Sequence, residues 1–205
     1  MASRRQSDDV VPPRRVKLRK SATPEDMADA GLRRAAGQTM RCEWAQRNPD
    51  LTIYHDDFWG EPPADDREYF ERMMLEIFHA GLSWTLIWNK RESLRRAYDE
   101  FDIDAVASYG PTEVTRLMND PKVVRSAKKI DAAIANARTV LELQAEHGDL
   151  ASFLRQLPDD AEDKIKVLRK TFAFMGPGVA RGFLEATGLI PVPHHPYCFK
   201  ASGGS

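Results

Sequence analysis

The chain has 205 residues, 42% of them hydrophobic, which suffices for one domain with a buried core. It has no apolar run of the roughly 20 residues that span a membrane and no secretory signal. We therefore expect a cytoplasmic protein. Its two cysteines are too few for a disulfide scaffold. The net charge of −1 conceals an asymmetry between the two parts of the chain. Residues 1–40 carry nine Lys/Arg against five Asp/Glu (+4), whereas residues 41–205 carry 21 against 26 (−5). Any DNA binding must therefore come from local features and not from a uniformly basic surface.

The first segment is predicted to be a basic, largely disordered extension over residues 1–38. It has almost no apolar periodicity, and its basic side chains cluster between Arg14 and Lys20. One helix is expected inside it, beginning at Thr23-Pro24, because proline suits the first turn of a helix. The main domain is expected over 39–200, followed by a flexible tail over 201–205.

From Cys42 onward the pattern predicts irregular backbone followed by helices, so the fold class is predicted to be all-α. Prolines and a glycine make residues 42–65 mostly irregular, with Leu51–Tyr54 at most a short strand. Apolar residues at helical spacing then predict a helix from Phe70 to Gly81. Further helices are expected over 83–98 with Ser83 as the cap, 103–108, 111–118, a long span after Pro121 that includes Val123 and Leu141, 149–157, 161–172, and from the Gly176-Pro177-Gly178 turn to Gly188.

The turn Gly176-Pro177-Gly178 joins two of these helices with very little chain. Glycine permits unusual backbone angles and close approach of another backbone, and the N-terminus of the following helix presents unpaired N–H groups to an anion. Arg181 lies near enough to add charge. An ordinary tight turn explains the same residues, so this motif indicates a phosphate contact only in combination with other signals.

Two cysteines and two histidines supply the donors that zinc prefers. Cys42 and His55 lie near the start of the domain, and His194 and Cys198 lie near its end. Four such donors would form a closed, structural zinc site that clips the two ends together. His195 competes with His194 as the ligand. Two buried, reduced cysteines and surface histidines remain the alternative.

Glu76 lies in an apolar stretch but shares a helical stripe with Arg72, His79 and Ser83. This stripe is either an exposed polar face or the wall of a cleft, in which the carboxylate would accept hydrogen bonds. Large aromatic side chains are similarly ambiguous, because they form protein cores more often than ligand platforms, yet they also suit a flat base. The aromatic residues in question are Trp44, Tyr54, Trp59, Trp84 and Trp88.

Taken together, these residues resemble the DNA-3-methyladenine glycosylase I family. The resemblance covers about 41–199 and departs from the family pattern at Leu51, Phe58, Gly178 and Arg181. The runs that carry it are Arg41-Cys42-Glu43-Trp44, Tyr54-His55-Asp56, Trp59-Gly60, Glu76, Ala80-Gly81-Leu82-Ser83-Trp84, Lys129-Ile130, Asn136-Ala137-Arg138, Phe174–Gly178, and His194 four residues before Cys198.

The resemblance implies a helix-hairpin-helix fold and a monomeric, monofunctional repair glycosylase that flips 3-methyladenine out of double-stranded DNA and hydrolyses its N-glycosidic bond. It implies one structural zinc ion held by Cys42, His55, His194 and Cys198. It assigns Glu76 a catalytic role, base binding to Trp44, Tyr54, Glu76, Trp84 and Trp59, and DNA contact to a hairpin of Gly176, Pro177, Gly178 and Arg181. The alternatives are a zinc-stabilised DNA-binding protein of this fold with lost or altered catalysis, and an α-helical interaction module in which the basic extension does the binding.

Overall fold

A computed structural model of the protein describes residues 39–202. The predicted extension over 1–38 and residues 203–205 of the predicted tail lie outside the described residues. Within 39–202 every regular element is helical, which confirms the all-α prediction. The α-helices are α1 (Pro49–Ile53), α2 (Asp66–His79), α3 (Trp84–Ala97), α4 (Ile103–Ala107), α5 (Pro111–Asn119), α6 (Ala127–His147), α7 (Leu150–Arg155), α8 (Ala161–Thr171) and α9 (Pro177–Ala186).

Helix α2 runs through the core. Asp65 caps it by accepting a 2.8 Å hydrogen bond from the Glu68 N–H, and every residue from 69 to 78 is buried. Its buried charges are therefore paired: Glu71 accepts hydrogen bonds of 2.8–2.9 Å from Arg91 and Arg95 on α3. Of the predicted polar stripe, Arg72 and Glu76 are buried, His79 is partly exposed, and Ser83 is exposed beyond the end of α2.

Two local expectations are wrong. Leu51–Tyr54 is helical and not a strand, because Asn48 caps α1 through the Leu51 N–H at 2.8 Å. The chain then continues as one π-helical turn, Tyr54–Phe58. The long helix after Pro121 begins only at Ala127, so Val123 is buried in the loop before it. In contrast, the helix capped by Ser83 is confirmed, with the Leu86 N–H donating to the Ser83 hydroxyl.

A short left-handed turn follows α3. Asp99, Glu100 and Phe101 have φ values of 50°, 55° and 56°, a region that costs residues other than glycine roughly 1–2 kcal/mol each. Buried packing holds the turn, because the Phe101 ring stacks on Tyr98 at 5.7 Å. A hydrogen bond of 2.7 Å from the Tyr109 hydroxyl to Asp99 adds to it.

The described residues fall into two compact units, Cys42–Pro193 and the two flanking segments 39–41 and 194–202. The first unit contains all nine α-helices found within residues 39–202. In the second, the Phe199 N–H donates to the Met40 carbonyl at 2.8 Å, and the Arg41 guanidinium lies 5.7 Å from the centre of the Phe199 ring. Over residues 39–202, no helix combines the length and the hydropathy that crossing a membrane would require.

Candidate functional site

A cavity of about 370 Å³ lies in the unit Cys42–Pro193. Its wall combines aromatic rings with two carboxylates, and it receives residues from the segment before α2, from α2 itself, from the start of α3 and from α9. The lining residues are Trp44, Arg47, Leu51, Tyr54, Trp59, Glu76, His79, Trp84, Thr85, Gly182 and Glu185. The structure therefore brings together all five residues that the sequence predicts for base binding, although their roles stay predictions.

Glu76 reaches the cavity from α2, and its residue surface is only 8% exposed. Its carboxylate lies directly against Gly182 of α9, where an added Cβ would come within 2.5 Å of Oε2 and 3.0 Å of Cδ. His79 Nδ1 lies 3.7 Å from the same oxygen. The glycine thus gives the carboxylate room at a helix crossing, and the carboxylate position depends on that space.

The aromatic wall is a set of tilted and edge-on contacts. Trp44 meets Trp59 edge to face with ring centroids 5.1 Å apart, and Tyr54 lies 4.7 Å from Trp84. Behind the wall, Tyr54 also packs on Trp88 at 4.8 Å, so Trp88 supports the wall without lining the cavity. Because these rings brace one another, their faces are held in place before any ligand arrives.

Arg72 anchors the backbone that carries this wall. Its Nη1 lies 2.9 Å from the Phe58 carbonyl, 2.6 Å from that of Glu61 and 2.8 Å from that of Ala186. These bonds tie the end of the π-helical turn and the end of α9 to α2. The π-helical turn, closed by the Trp59 N–H to the Tyr54 carbonyl at 2.9 Å, brings Tyr54 and Trp59 to the same cavity.

The second carboxylate, Glu185, lies one helical turn after Gly182. Burial raises the pKa of Glu185 above its usual value, and the negative charge of Glu76 raises it further, while Arg181 acts in the opposite direction. Burial likewise raises the pKa of Tyr54, and Glu76 and Glu185 both add to that shift against the effect of Arg72. The described wall of the cavity therefore carries two carboxylates, Glu76 and Glu185, beside one arginine, Arg47.

The four predicted metal ligands form a group in the structure. One donor atom from each of Cys42, His55, His194 and Cys198 lies within 4.8 Å of the others, so these residues form a possible metal site. His194 belongs to the group, whereas the ring of its competitor His195 packs on Tyr197 at 3.9 Å.

The donor set fits a metal ion. His194 Nδ1 and Cys198 Sγ are 3.8 Å apart, close to the roughly 3.5 Å that zinc bond lengths give for two tetrahedral ligands. His55 Nδ1 lies 2.8 Å from the Asp56 carboxylate, which leaves Nε2 as its donor for an ion. A carboxylate that orients a ligating histidine in this way is common around metals.

The hairpin turn differs in detail from the sequence expectation. Gly176 has an ordinary φ of −66°, and the left-handed residue is Phe174 at φ 57°. A Cβ at Gly176 or Gly178 would meet no described atom within 4 Å, so nothing described in the chain itself requires glycine there. Pro177 is the first residue of α9, whose first turn contains no acidic residue. Arg181 donates to Glu162 of α8, and that pairing offsets the charge that the sequence assigns to phosphate binding.

Sequence reasoning missed several residues of the cavity wall. The sequence analysis assigns no role to Arg47, Thr85, Gly182 or Glu185, and it places His79 only on the same helical stripe as Glu76. The available signals were spacings: Glu76 and His79 are three residues apart on α2, as are Gly182 and Glu185 on α9, so each pair shares a helix face.

Comparisons with known proteins point in one direction. A family model described as methyladenine glycosylase matches residues 44–171. The DNA-3-methyladenine glycosylase 1 of Escherichia coli K12 is 33% identical over 170 residues, which cover 73% of this chain and 91% of that protein. The DNA-3-methyladenine glycosylase of Haemophilus influenzae is 28% identical over 172 residues, 74% of this chain and 93% of that protein. A structure of 3-methyladenine DNA glycosylase I from Staphylococcus aureus, solved to explain 3-methyladenine recognition, matches with a TM-score of 0.70 at 30% identity and covers 78% of this chain and 95% of that chain.

Proposed function

Since this chain belongs to the methyladenine glycosylase family, we propose that it is a DNA repair enzyme that excises 3-methyladenine from double-stranded DNA by hydrolysing the N-glycosidic bond. The observation that carries the proposal is the cavity in which the Glu76 carboxylate lies among Trp44, Trp59 and Trp84. This combination offers a negative charge and aromatic faces to a flat, positively charged ring. The enzyme acts as a monomer on chromosomal DNA.

The chemistry begins with a substrate that is already labile. An adenine methylated at N3 within DNA is cationic, so its bond to the sugar is weakened and the base leaves with little activation. The enzyme must extrude the nucleotide from the stack, at a cost of a few kcal/mol, and hold the base in the cavity. Each well-placed tryptophan face contributes roughly 0.5–2 kcal/mol toward binding a cation.

Glu76 supplies the directional contact. Its carboxylate accepts hydrogen bonds from the edge of the base, and a charge-assisted bond of this kind is about twice as strong as a neutral one. Gly182 and His79 both lie against this carboxylate and restrict its position at the cavity wall. Glu76 therefore favours binding of the cationic base while it is still bonded to the sugar. When the N-glycosidic bond breaks, its electron pair stays with the ring, the positive charge passes to the sugar, and the base leaves as neutral 3-methyladenine.

The cavity wall also supports a monofunctional reaction. Strand cleavage by a glycosylase requires an amine nucleophile, and no lysine is among the described residues that line the cavity. Arg47 and His79 are the basic side chains of that wall. Water is therefore the acceptor of the sugar, and the product is an abasic site.

Two further parts complete the proposal. Cys42, His55, His194 and Cys198 would hold one zinc ion, which supplies structural cross-linking and takes no part in the reaction. Gly176, Pro177 and Gly178 would present the first turn of α9 to a DNA phosphate, with the glycines giving the backbone room to approach. Arg181 would contribute there only after release from Glu162.

The test is release of free 3-methyladenine from methylated duplex DNA by the purified, zinc-loaded protein. Wild-type protein should release the base, and Glu76→Gln, which keeps the size of the side chain but removes its charge, should lower the rate by roughly 100-fold. Circular dichroism should show that the variant keeps its fold. Intact DNA binding without any base release would instead support the zinc-stabilised binding protein, and full activity of Glu76→Gln would refute the assignment of the cavity.

A further inference from the structure

We propose that Glu185 is a specificity-determining residue, a second carboxylate that makes this cavity prefer cationic bases over neutral ones. The inference rests on the proposed function, because it concerns the same cavity. No sequence motif identifies Glu185, and its proposed role is separate from that of Glu76. Glu185 acts by contact with the bound base, together with Glu76.

The helix geometry places the two carboxylates at the same cavity. Gly182 of α9 lies directly against the Glu76 carboxylate, within 2.5 Å of where its Cβ would be. Glu185 follows Gly182 by three residues, so both lie on one face of α9. Glu185 is half-buried and lines the cavity with Glu76 and Trp84.

Neighbouring cations compensate this pair of carboxylates only in part, although Arg181 does lower the pKa of Glu185. Arg181, one turn before Glu185, directs its guanidinium to Glu162 of α8. His79 lies beside Glu76, with Nδ1 at 3.7 Å from Oε2, and carries charge only when it is protonated. Arg47 is the permanently charged cation among the residues described on the cavity wall.

Repulsion between the two carboxylates gives the preference its physical basis. Burial raises the pKa of Glu185, Arg181 lowers it, and the charge of Glu76 raises it, so the two carboxylates repel each other in the free protein. A cationic ring placed between them relieves this repulsion, whereas a neutral ring removes water from both carboxylates without compensation. The cavity is therefore organised for a positive charge before the base enters.

The experiment measures binding of two small probes by quenching of tryptophan fluorescence. The cationic probe is 3,9-dimethyladeninium, which carries a fixed charge, and the neutral probe is 9-methyladenine. Wild-type protein should bind the cation more tightly, and Glu185→Gln should reduce the ratio of the two affinities roughly tenfold, as expected for loss of one charged contact. Glu185→Asp should restore part of the ratio because it keeps the charge.

Glu146→Gln is the matched control, because this α6 side chain is 74% exposed and its loss changes the net charge equally. It should leave the ratio within about twofold of wild type, since exposed charges contribute little. Absence of a cation preference in wild type, or an unchanged ratio in Glu185→Gln, overturns the inference. This outcome is distinguishable from that of the proposed function. A protein that releases no base yet shows a cation preference dependent on Glu185 supports this inference and refutes the proposed activity. A protein that releases the base but shows no such preference supports the proposed activity and refutes this inference.

Discussion

Gly182→Ala is the most direct perturbation of the proposed catalytic geometry, because it adds one methyl group against the Glu76 carboxylate without replacing a charged residue. The new Cβ would lie 2.5 Å from Glu76 Oε2 and 3.0 Å from Cδ, whereas ordinary contacts begin at 3.4 Å. The carboxylate must therefore retreat by about 1 Å. A displacement of that size at a reacting group costs on the order of 100-fold in rate.

The free energy of unfolding should change less than the activation free energy of base release. Within α9, alanine is favoured over glycine by about 1 kcal/mol, and this gain opposes an overpacking cost of about 1–3 kcal/mol. We therefore expect the free energy of unfolding of Gly182→Ala to lie within about 2 kcal/mol of wild type, with kcat/KM for base release lowered by roughly 100-fold. Denaturant titration and single-turnover excision assays measure the two quantities on the same preparation.

A double-mutant cycle tests whether the effect passes through Glu76. With Glu76→Ala already present, the added methyl meets empty space, so Gly182→Ala should then stabilise the protein by about 1 kcal/mol. Gly178→Ala is the control for stability alone, because its Cβ would meet no described atom within 4 Å. Wild-type kcat/KM in Gly182→Ala, or the same stability change with and without Glu76, would refute the reasoning.

Three further predictions follow from other parts of the structure. Purified protein should contain about one zinc ion by elemental analysis, and Cys198→Ala should lose the metal and melt at a lower temperature; a metal-free wild type of unchanged stability would contradict this. Lys129→Met should lower the free energy of unfolding by about 1–3 kcal/mol, because the buried ammonium donates hydrogen bonds to the carbonyls at the end of α2. The control Lys128→Met, at an exposed position, should change the free energy of unfolding little. Equal effects of the two substitutions would argue against a contribution from the buried hydrogen bonds. Glu100→Gly should raise the unfolding free energy by about 1 kcal/mol by relieving a left-handed φ, while Glu142→Gly within α6 should lower it by a similar amount, and both are measured by denaturant titration.

Local chemistry explains which helices the sequence predicts correctly. Ser83 accepts a hydrogen bond from the Leu86 N–H, so the start of α3 follows from a cap that is visible in the sequence. The segment Leu51–Tyr54 was misjudged because its capping residue, Asn48, lies before a proline in a stretch that otherwise suggests irregular chain. Val123 was misassigned because its burial in a loop produces the same apolar pattern as burial on a helix.

The cavity could be predicted where side chains are distinctive and not where packing defines them. Trp44, Trp59 and Glu76 stand out by residue type, and all three line the cavity. The contribution of Gly182 depends on α9 crossing α2 at that residue, and no periodicity reveals where two helices cross. Glu185 reaches the cavity through the same crossing.

The opposing electrostatic demands of the proposed reaction meet on one helix. A DNA phosphate must be attracted at the surface, whereas a cationic base is best held among negative charges inside. The first turn of α9 contains no acidic residue, and its N–H groups lack partners within the helix. Glu185 lies near the C-terminal end of α9 and faces the cavity. Glu185 lies seven positions after Gly178 on the α-helix, a rise of about 10 Å, which is enough to keep the carboxylate away from a phosphate at the N-terminus. A net negative domain is therefore compatible with DNA as a substrate. The N-terminal end of α9 attracts an anion and its C-terminal end carries a carboxylate, so the surface as a whole does not have to be basic.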